Sequence, residues 1–343
     1  MNFHFAYRRY CLALRAPVRT AQGIWTEREG ILVKLQRADG AKGDLNAVGY
    51  GEAAVLPTFG TETVEEVELV CREWGDRIKV AQMEGLPARF RCLRHALATA
   101  REAAESRVLG EMQPAVGVAA LVSAGPGAIK QIREKGDSGF RVFKWKVGVG
   151  DRADELSLLA DVCAALPEGG KLRLDANGAW DRRWTERWLE RCAERPVEFL
   201  EQPIAVTARG ADDVLRGLAN DWPTPLALDE SLGGDGDIQR WIELGWPGVF
   251  VVKLSLLADV VGALARLEKA KAKVVFSSAL ETAVGAKAAL RVALAWNGEP
   301  RALGFGVWPL FADRRFDGPA AAPFLRSEDV SRIDEGAVWN ALS

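Results

Sequence analysis

With 343 residues, 48% of them apolar and 27% charged, the chain can form two domains or one large barrel with an appended domain. Its 45 basic and 47 acidic residues leave a formal charge of −2, so no global field draws nucleic acid or an anionic membrane. Five scattered cysteines without CxxC, and histidine only at His4 and His95, argue against a disulfide framework, a zinc site or a histidine-based triad.

In chain order, the N-terminal MNFHFAYRRYCLALRAP has too short an apolar run for a signal peptide. No stretch approaches the roughly 18 apolar residues of a membrane span, so a cytoplasmic location is expected. Residues 3–14 and 30–37 read as strands, with PVRTAQGIWTEREG as a polar connection between them. Thr63-Val64-Glu65-Glu66 opens a helix with a capping-box pattern, and a second helix runs from about Pro87 to Ala104. Strands followed by helices predict a small α+β domain.

From about residue 114 the pattern becomes strict alternation. Strand-like runs AVGVAALV, FRVFKWKV, KLRLDA, VEFLEQ, PLALDE, GVFVVKLS, KVVFSS and ALGFG are separated by helical candidates at 127–135, 152–166, 181–194, 208–219, 237–245, 257–272 and 283–296. Eight strands with seven intervening helices predict an α/β fold, a (β/α)7β barrel; an open doubly wound sheet is the alternative on pattern alone. The tail, 307–343, lacks the rhythm and is expected to return to the N-terminal domain. The expected division is residues 1–110, completed by 307–343, as an α+β cap, and 111–306 as the barrel.

Asp175, Glu201 and Asp229 each stand where an apolar run finishes, 26 and 28 residues apart, about one strand-plus-helix unit. Singly, each reads as a helix N-cap or a loop charge. In three successive parallel units they converge on one mouth, where their oxygens suit Mg2+. Lys144 and Lys146 lie two apart on a strand and face the same side, with Phe143, Trp145 and Val147 opposite. If the bulky set packs on the outer helices, both ammonium groups point inward, where burial and mutual repulsion lower their pKa toward the range of a base. Lys253 ends the apolar run VFVV one unit beyond Asp229, a poor setting for a solvated charge. A divalent cation flanked by lysines suits proton abstraction beside a carboxylate. The cation neutralises the resulting enediolate, and Lys253 supplies a second proton-transfer group or fixed charge. Asn177 reads as a ligand contact, a helix cap or part of the metal surroundings.

KWK, LDAN, FLEQP, LDES and VVKLS, in this order and spacing, resemble the motifs of the enolase superfamily, in its muconate-lactonizing-enzyme-like branch. SSALET, from Ser277 to Thr282, resembles a segment of o-succinylbenzoate synthases, and GYGEAAVLPTFGTETVEE resembles the capping-domain segment of the same family. The resemblance covers essentially the whole chain. It implies Asp175, Glu201 and Asp229 as Mg2+ ligands, with Mn2+ as a substitute. Lys146 is implied as the base that removes the α-proton, Lys253 as a positive charge against the ring, and Lys144 as an electrostatic helper. The implied reaction is a syn dehydration giving 2-succinylbenzoate, in menaquinone or phylloquinone biosynthesis. Ser278 and Gly304 are candidate contacts to the succinyl group. PVRTAQGIWTEREG is expected to cover the mouth, with Arg19 and Arg28 as candidate carboxylate contacts.

Two further signals carry less. Gly148-Val149-Gly150 lacks the third glycine of a dinucleotide loop. Trp180, Trp184 and Trp188 fall at i, i+4 and i+8, the spacing of a packed helix face. The alternatives to the dehydratase are an N-succinyl amino acid racemase or dipeptide epimerase, a cycloisomerase, and a non-catalytic metabolite-binding barrel. The partner in every case is a small molecule, a carboxylate for the dehydratase.

Overall fold

The computed structural model describes residues 2–20, 23–38, 47–105 and 111–342. The expected domain boundary at residue 110 and the side chain of Arg19 lie outside the described residues.

The N-terminal part is an antiparallel sheet of β1 (Asn2–Thr20), β2 (Gly23–Arg37), β3 (Val48–Ala53) and β4 (Arg77–Lys79), in the order β3-β2-β1-β4. Helices Val64–Trp74 and Arg91–Ala104 accompany it. The first begins at the expected capping box: the Thr63 hydroxyl accepts from Glu66 N, and the Glu66 carboxylate accepts from Thr63 N. Gly49 and Gly51 let the second helix lie directly on β3. A Cβ on either would meet the Ala100 or Ala96 carbonyl oxygen at 1.8 and 1.9 Å. PVRTAQGIWTEREG is not the expected loop. β1 continues to Thr20 and β2 begins at Gly23, a hairpin ribbon with a register shift between Ala13 and Val18. The ribbon's outer end is exposed, so its strands lack the apolar alternation that betrays a half-buried strand.

The second part is a parallel sheet of β6 (Ala120–Val122), β7 (Val142–Lys146), β8 (Lys171–Asp175), β9 (Val197–Glu201), β10 (Leu226–Leu228), β11 (Val249–Val252) and β12 (Lys273–Phe276). Helices stand at all seven predicted places: six separate the strands, the seventh, Ala283–Leu294, follows β12, and all pack on the outer face. The predicted first strand is divided: β5 (Ala115–Gly117) turns away to pair with β13 (Phe324–Arg326), and only β6 joins the parallel sheet. The predicted eighth strand is reduced to bridges, Leu303 to Val118 and Gly304 to Ser277, which link β12 back to the start and close a (β/α)7β barrel. The tail reaches both parts. β13 pairs with β5, and Glu335 pairs with Lys287 of the helix Ala283–Leu294. On the N-terminal sheet, Leu14 bridges Phe311, and Trp339 packs its ring on Tyr50.

Period-two alternation explains the barrel. Phe143, Trp145, Leu172, Leu174, Leu200 and Leu228 point outward into the layer shared with the helices. Trp145 meets Trp188 edge-on at 6.1 Å, and Trp188 stacks on Trp180 at 4.8 Å, so the tryptophan series is packing. Inward, Phe199, Ala227, Val249, Val251 and Val275 form a small separate core. The inward positions two residues further along carry the polar side chains. Among the described residues, no helix is long and apolar enough to cross a membrane.

Candidate active site

The five successive strands β7 to β11 each end on, or are followed directly by, a charged side chain at the same barrel mouth. Lys146 pairs in register with Asp175, and Asp175 with Glu201, on adjacent strands. Asp229 and Lys253 follow directly on β10 and β11. A cavity of about 460 Å³ opens there, lined by Lys144, Lys146, Asp175, Asn177, Asp229, Lys253, Ser278 and Gly304. Glu201 lies beneath, 1% exposed. Predicted site residues from six strand ends therefore meet in one place.

The lysines and carboxylates are interleaved. Lys144 Nζ lies 2.9 Å from Asp175 Oδ2 and 2.7 Å from Glu201 Oε1, and Lys253 pairs with Asp229. The expectation that both lysines of KWK are depressed holds for one. Burial lowers Lys146, reinforced by the nearby Lys144 charge against the pull of Asp175. For Lys144 burial acts the same way, but Asp175 and Glu201 outweigh it and raise the ammonium above the usual lysine range. Burial also opposes the Asp175 charge, yet Lys144 holds that carboxyl below its ordinary value. Glu201 is pushed up to about 8 by burial and then by Asp175, against the opposing pull of Lys144.

Among the described residues, no three acidic, imidazole or thiol groups converge on a metal position as they stand. The donor set nonetheless suits a hard dication. Three carboxyl groups end or directly follow neighbouring strands, and burial first and the Asp175 charge second disfavour the Glu201 carboxylate, an opposition that a bound dication would relieve.

Several neighbours escaped the sequence reading although they sit inside quoted motifs. Gln202 follows Glu201 with φ +35° and accepts at Oε1 from Asp229 N (3.0 Å) and Ser231 N (3.1 Å), fixing the end of β10. Glu230, next to Asp229, accepts from Asn177 Nδ2 at 3.0 Å and is pushed up to about 7 by burial and then Asp229. Asn177 has φ +44°, and its buried Oδ1 has no partner among the described residues. Phe59 lies beneath Lys253, with Nζ 4.4 Å from the ring centroid. Asn177 was among the candidates read from the sequence; the only cue to Gln202 and Glu230 was position beside a charged motif, and Phe59 had none.

The expected covering segment does line the mouth through Pro17, Val18 and Trp25, joined by Leu56, Thr58 and Phe59 from the cap. Arg28 does not serve as a carboxylate contact. Its guanidinium is buried and donates to the main-chain oxygens of Glu29, Val55, Ala279 and Leu280. Ser278 faces the cavity, but its hydroxyl donates to Glu281 Oε2 at 2.8 Å and accepts from Leu280 N. Gly304 is a close approach: a Cβ there would meet Ser277 Oγ at 2.6 Å.

Residues 127–322, more than half of the chain, match the family model "Enolase C-terminal domain-like". The chain belongs to the enolase superfamily and is an enzyme. Within that superfamily it groups with the o-succinylbenzoate synthases. It is 37% identical to the o-succinylbenzoate synthase of Thermosynechococcus vestitus over 88% of this chain and 91% of that one. The o-succinylbenzoate synthase of Thermobifida fusca is 28% identical over 94% and 87%. The crystal structure of the o-succinylbenzoate synthase from Thermosynechococcus elongatus, complexed with Mg in the active site, superposes with a TM-score of 0.79. It has 33% identity, covering 97% of this chain and 99% of that one. A hydrophobic dipeptide epimerase from Roseobacter litoralis is 28% identical over 71% and 72%.

Proposed function

We propose that the enzyme dehydrates 2-succinyl-6-hydroxy-2,4-cyclohexadiene-1-carboxylate to 2-succinylbenzoate, a step of menaquinone or phylloquinone biosynthesis in the cytoplasm. In this reading residues 111–306 form the catalytic barrel, and 1–110 with 307–343 form the cap. Asp175, Glu201 and Asp229 would hold Mg2+, or Mn2+ in its place, which supplies Lewis-acid neutralisation of charge at the substrate carboxylate.

The chain's own residues carry the proton transfers. Lys146 ends β7 at the mouth, and its lowered pKa favours the neutral amine a base requires. It takes the α-proton from the ring carbon bearing the carboxylate. Its ammonium then returns a proton to the departing hydroxyl on the same face, releasing water and leaving an aromatic ring. Lys144, held protonated between Asp175 and Glu201, keeps positive charge beside the base. Lys253 reaches the cavity from four strands further round and stands as fixed positive charge on the opposite side. The single observation that carries the proposal is Lys146 and Lys253 facing one cavity across the three carboxylates.

Loss of the cyclohexadiene's ultraviolet absorbance, followed with Mg2+ and with a chelator, tests the reading. Turnover that needs the metal supports it; a metal-binding protein inert toward this substrate overturns it. Two lysines facing one cavity also suit a two-base racemase, and a dipeptide epimerase stands among the relatives. Deuterium exchange into both enantiomers of an N-succinyl amino acid, without dehydration, would favour that second reading.

A further inference from the structure

We infer that Arg28 is a positioning residue that sets the cavity wall formed by residues 277–280, and so governs substrate fit rather than the chemical step. The inference rests on the cavity being the active site. Arg28 sits on β2, is 4% exposed, and has no carboxylate partner among the described hydrogen bonds and ion pairs. Its donors are spread over three separate segments. Nε donates to Leu280 O at 3.2 Å and Nη2 to Ala279 O at 3.2 Å. Nη1 donates to Val55 O at 2.8 Å and Glu29 O at 2.5 Å.

All three segments border the cavity. Trp25 lies on the same strand as Arg28, Leu56 follows Val55, and Ala279 and Leu280 are themselves wall residues beside Ser278. Leu280 has φ +58°, a conformation that a leucine keeps only when its surroundings over-determine it. The guanidinium on its carbonyl and the Ser278 hydroxyl on its amide are those constraints. A planar fork with five N–H donors can bind three strands of main chain at once; an ammonium on a flexible stem cannot reproduce the geometry. None of these contacts touches Lys146, Lys253 or the carboxylates.

The test uses the full-length enzyme with Arg28→Lys and Arg28→Met. KM and kcat are measured for the cyclohexadiene, Mg2+ affinity by calorimetry, and amide hydrogen exchange across residues 277–282. We expect KM to rise about tenfold or more, a factor corresponding to one lost hydrogen-bond-sized interaction. We expect kcat within about threefold of wild type, unchanged Mg2+ affinity, and about tenfold faster exchange confined to 277–282. Arg28→Lys should show the smaller effect and serves where Arg28→Met does not fold. Unchanged KM and exchange in a folded variant, or a loss concentrated in kcat, overturns the inference. A wild type inert toward the cyclohexadiene sinks the proposed reaction, and the exchange measurement still decides whether Arg28 holds the wall.

Discussion

Glu52 and Thr282, 230 residues apart, are joined by three hydrogen bonds across the junction of cap and barrel. The Glu52 carboxylate accepts from Thr282 N at 2.9 Å, from the Thr282 hydroxyl, from Gly285 N at 2.9 Å and from the Tyr10 hydroxyl at 2.6 Å. Thr282 is the N-cap of the helix Ala283–Leu294, so a cap carboxylate satisfies the first free amides of a barrel helix. GYGEA and SSALET are thus two halves of one contact.

Glu52 is 1% exposed, so its removal strands several buried donors at once. We expect Glu52→Ala to lower the unfolding free energy by about 2–4 kcal/mol and Glu52→Gln by about half as much, read from urea midpoints. A loss below about 1 kcal/mol for the alanine variant would mean water replaces the carboxylate without cost.

Lys146→Ala should lower kcat by about 10²–10⁴-fold, the contribution of a positioned general base, while Mg2+ affinity stays within a few-fold of wild type. The same lysine sets a pH limb. It acts as a base when neutral, and burial lowers its pKa below the ordinary 10.5, so kcat/KM should rise with pH and level off before that value. Stopped-assay rates from pH 6 to 10 check this; a limb at or above the ordinary lysine value contradicts it.

Much of this site was legible because inward-facing positions of a parallel barrel alternate strictly. Lys146, Asp175, Glu201, Asp229 and Lys253 stand at strand ends, and Lys144 lies two residues before Lys146 on the same face, where that periodicity assigns them. Charge sharing was not legible. The rise of Lys144 depends on Asp175 and Glu201 arriving from two other strands, which spacing within KWK does not encode. The Arg28 contacts were hidden for another reason: all its partners are main-chain oxygens, which every residue carries. The ribbon at 17–30 escaped because an exposed strand and a polar loop have the same composition.

Asp229→Asn should weaken Mg2+ binding by about tenfold to a hundredfold or more, because it removes one of three anionic oxygen donors. The loss should exceed that of Asn177→Ala, which removes a side-chain amide that donates to Glu230 and leaves the main-chain donation to Asp175 in place. Isothermal titration of both variants distinguishes them. Unaltered affinity in Asp229→Asn contradicts its assignment as a ligand.

His95 makes the stability of the cap-side helix Arg91–Ala104 dependent on pH. Burial pushes its imidazole from 6.5 down to about 4, against the opposing pull of the Leu257 carbonyl and Asp235, and its Nε2 has no partner among the described residues. The folded state therefore keeps the ring neutral where the unfolded chain takes up a proton. Above about pH 6.5 neither state is charged and no penalty exists. As pH falls from about 6.5 to about 4, the unfolded state alone is protonated, and stability drops by up to about 3 kcal/mol. Below about 4 both states are charged and the loss stops growing. His95→Leu removes this contribution but leaves every carboxylate in place. The difference in urea midpoint between wild type and variant should therefore shift in the variant's favour between pH 7.5 and 4.5. A difference that stays constant across that interval would mean the ring accepts a proton in the folded state.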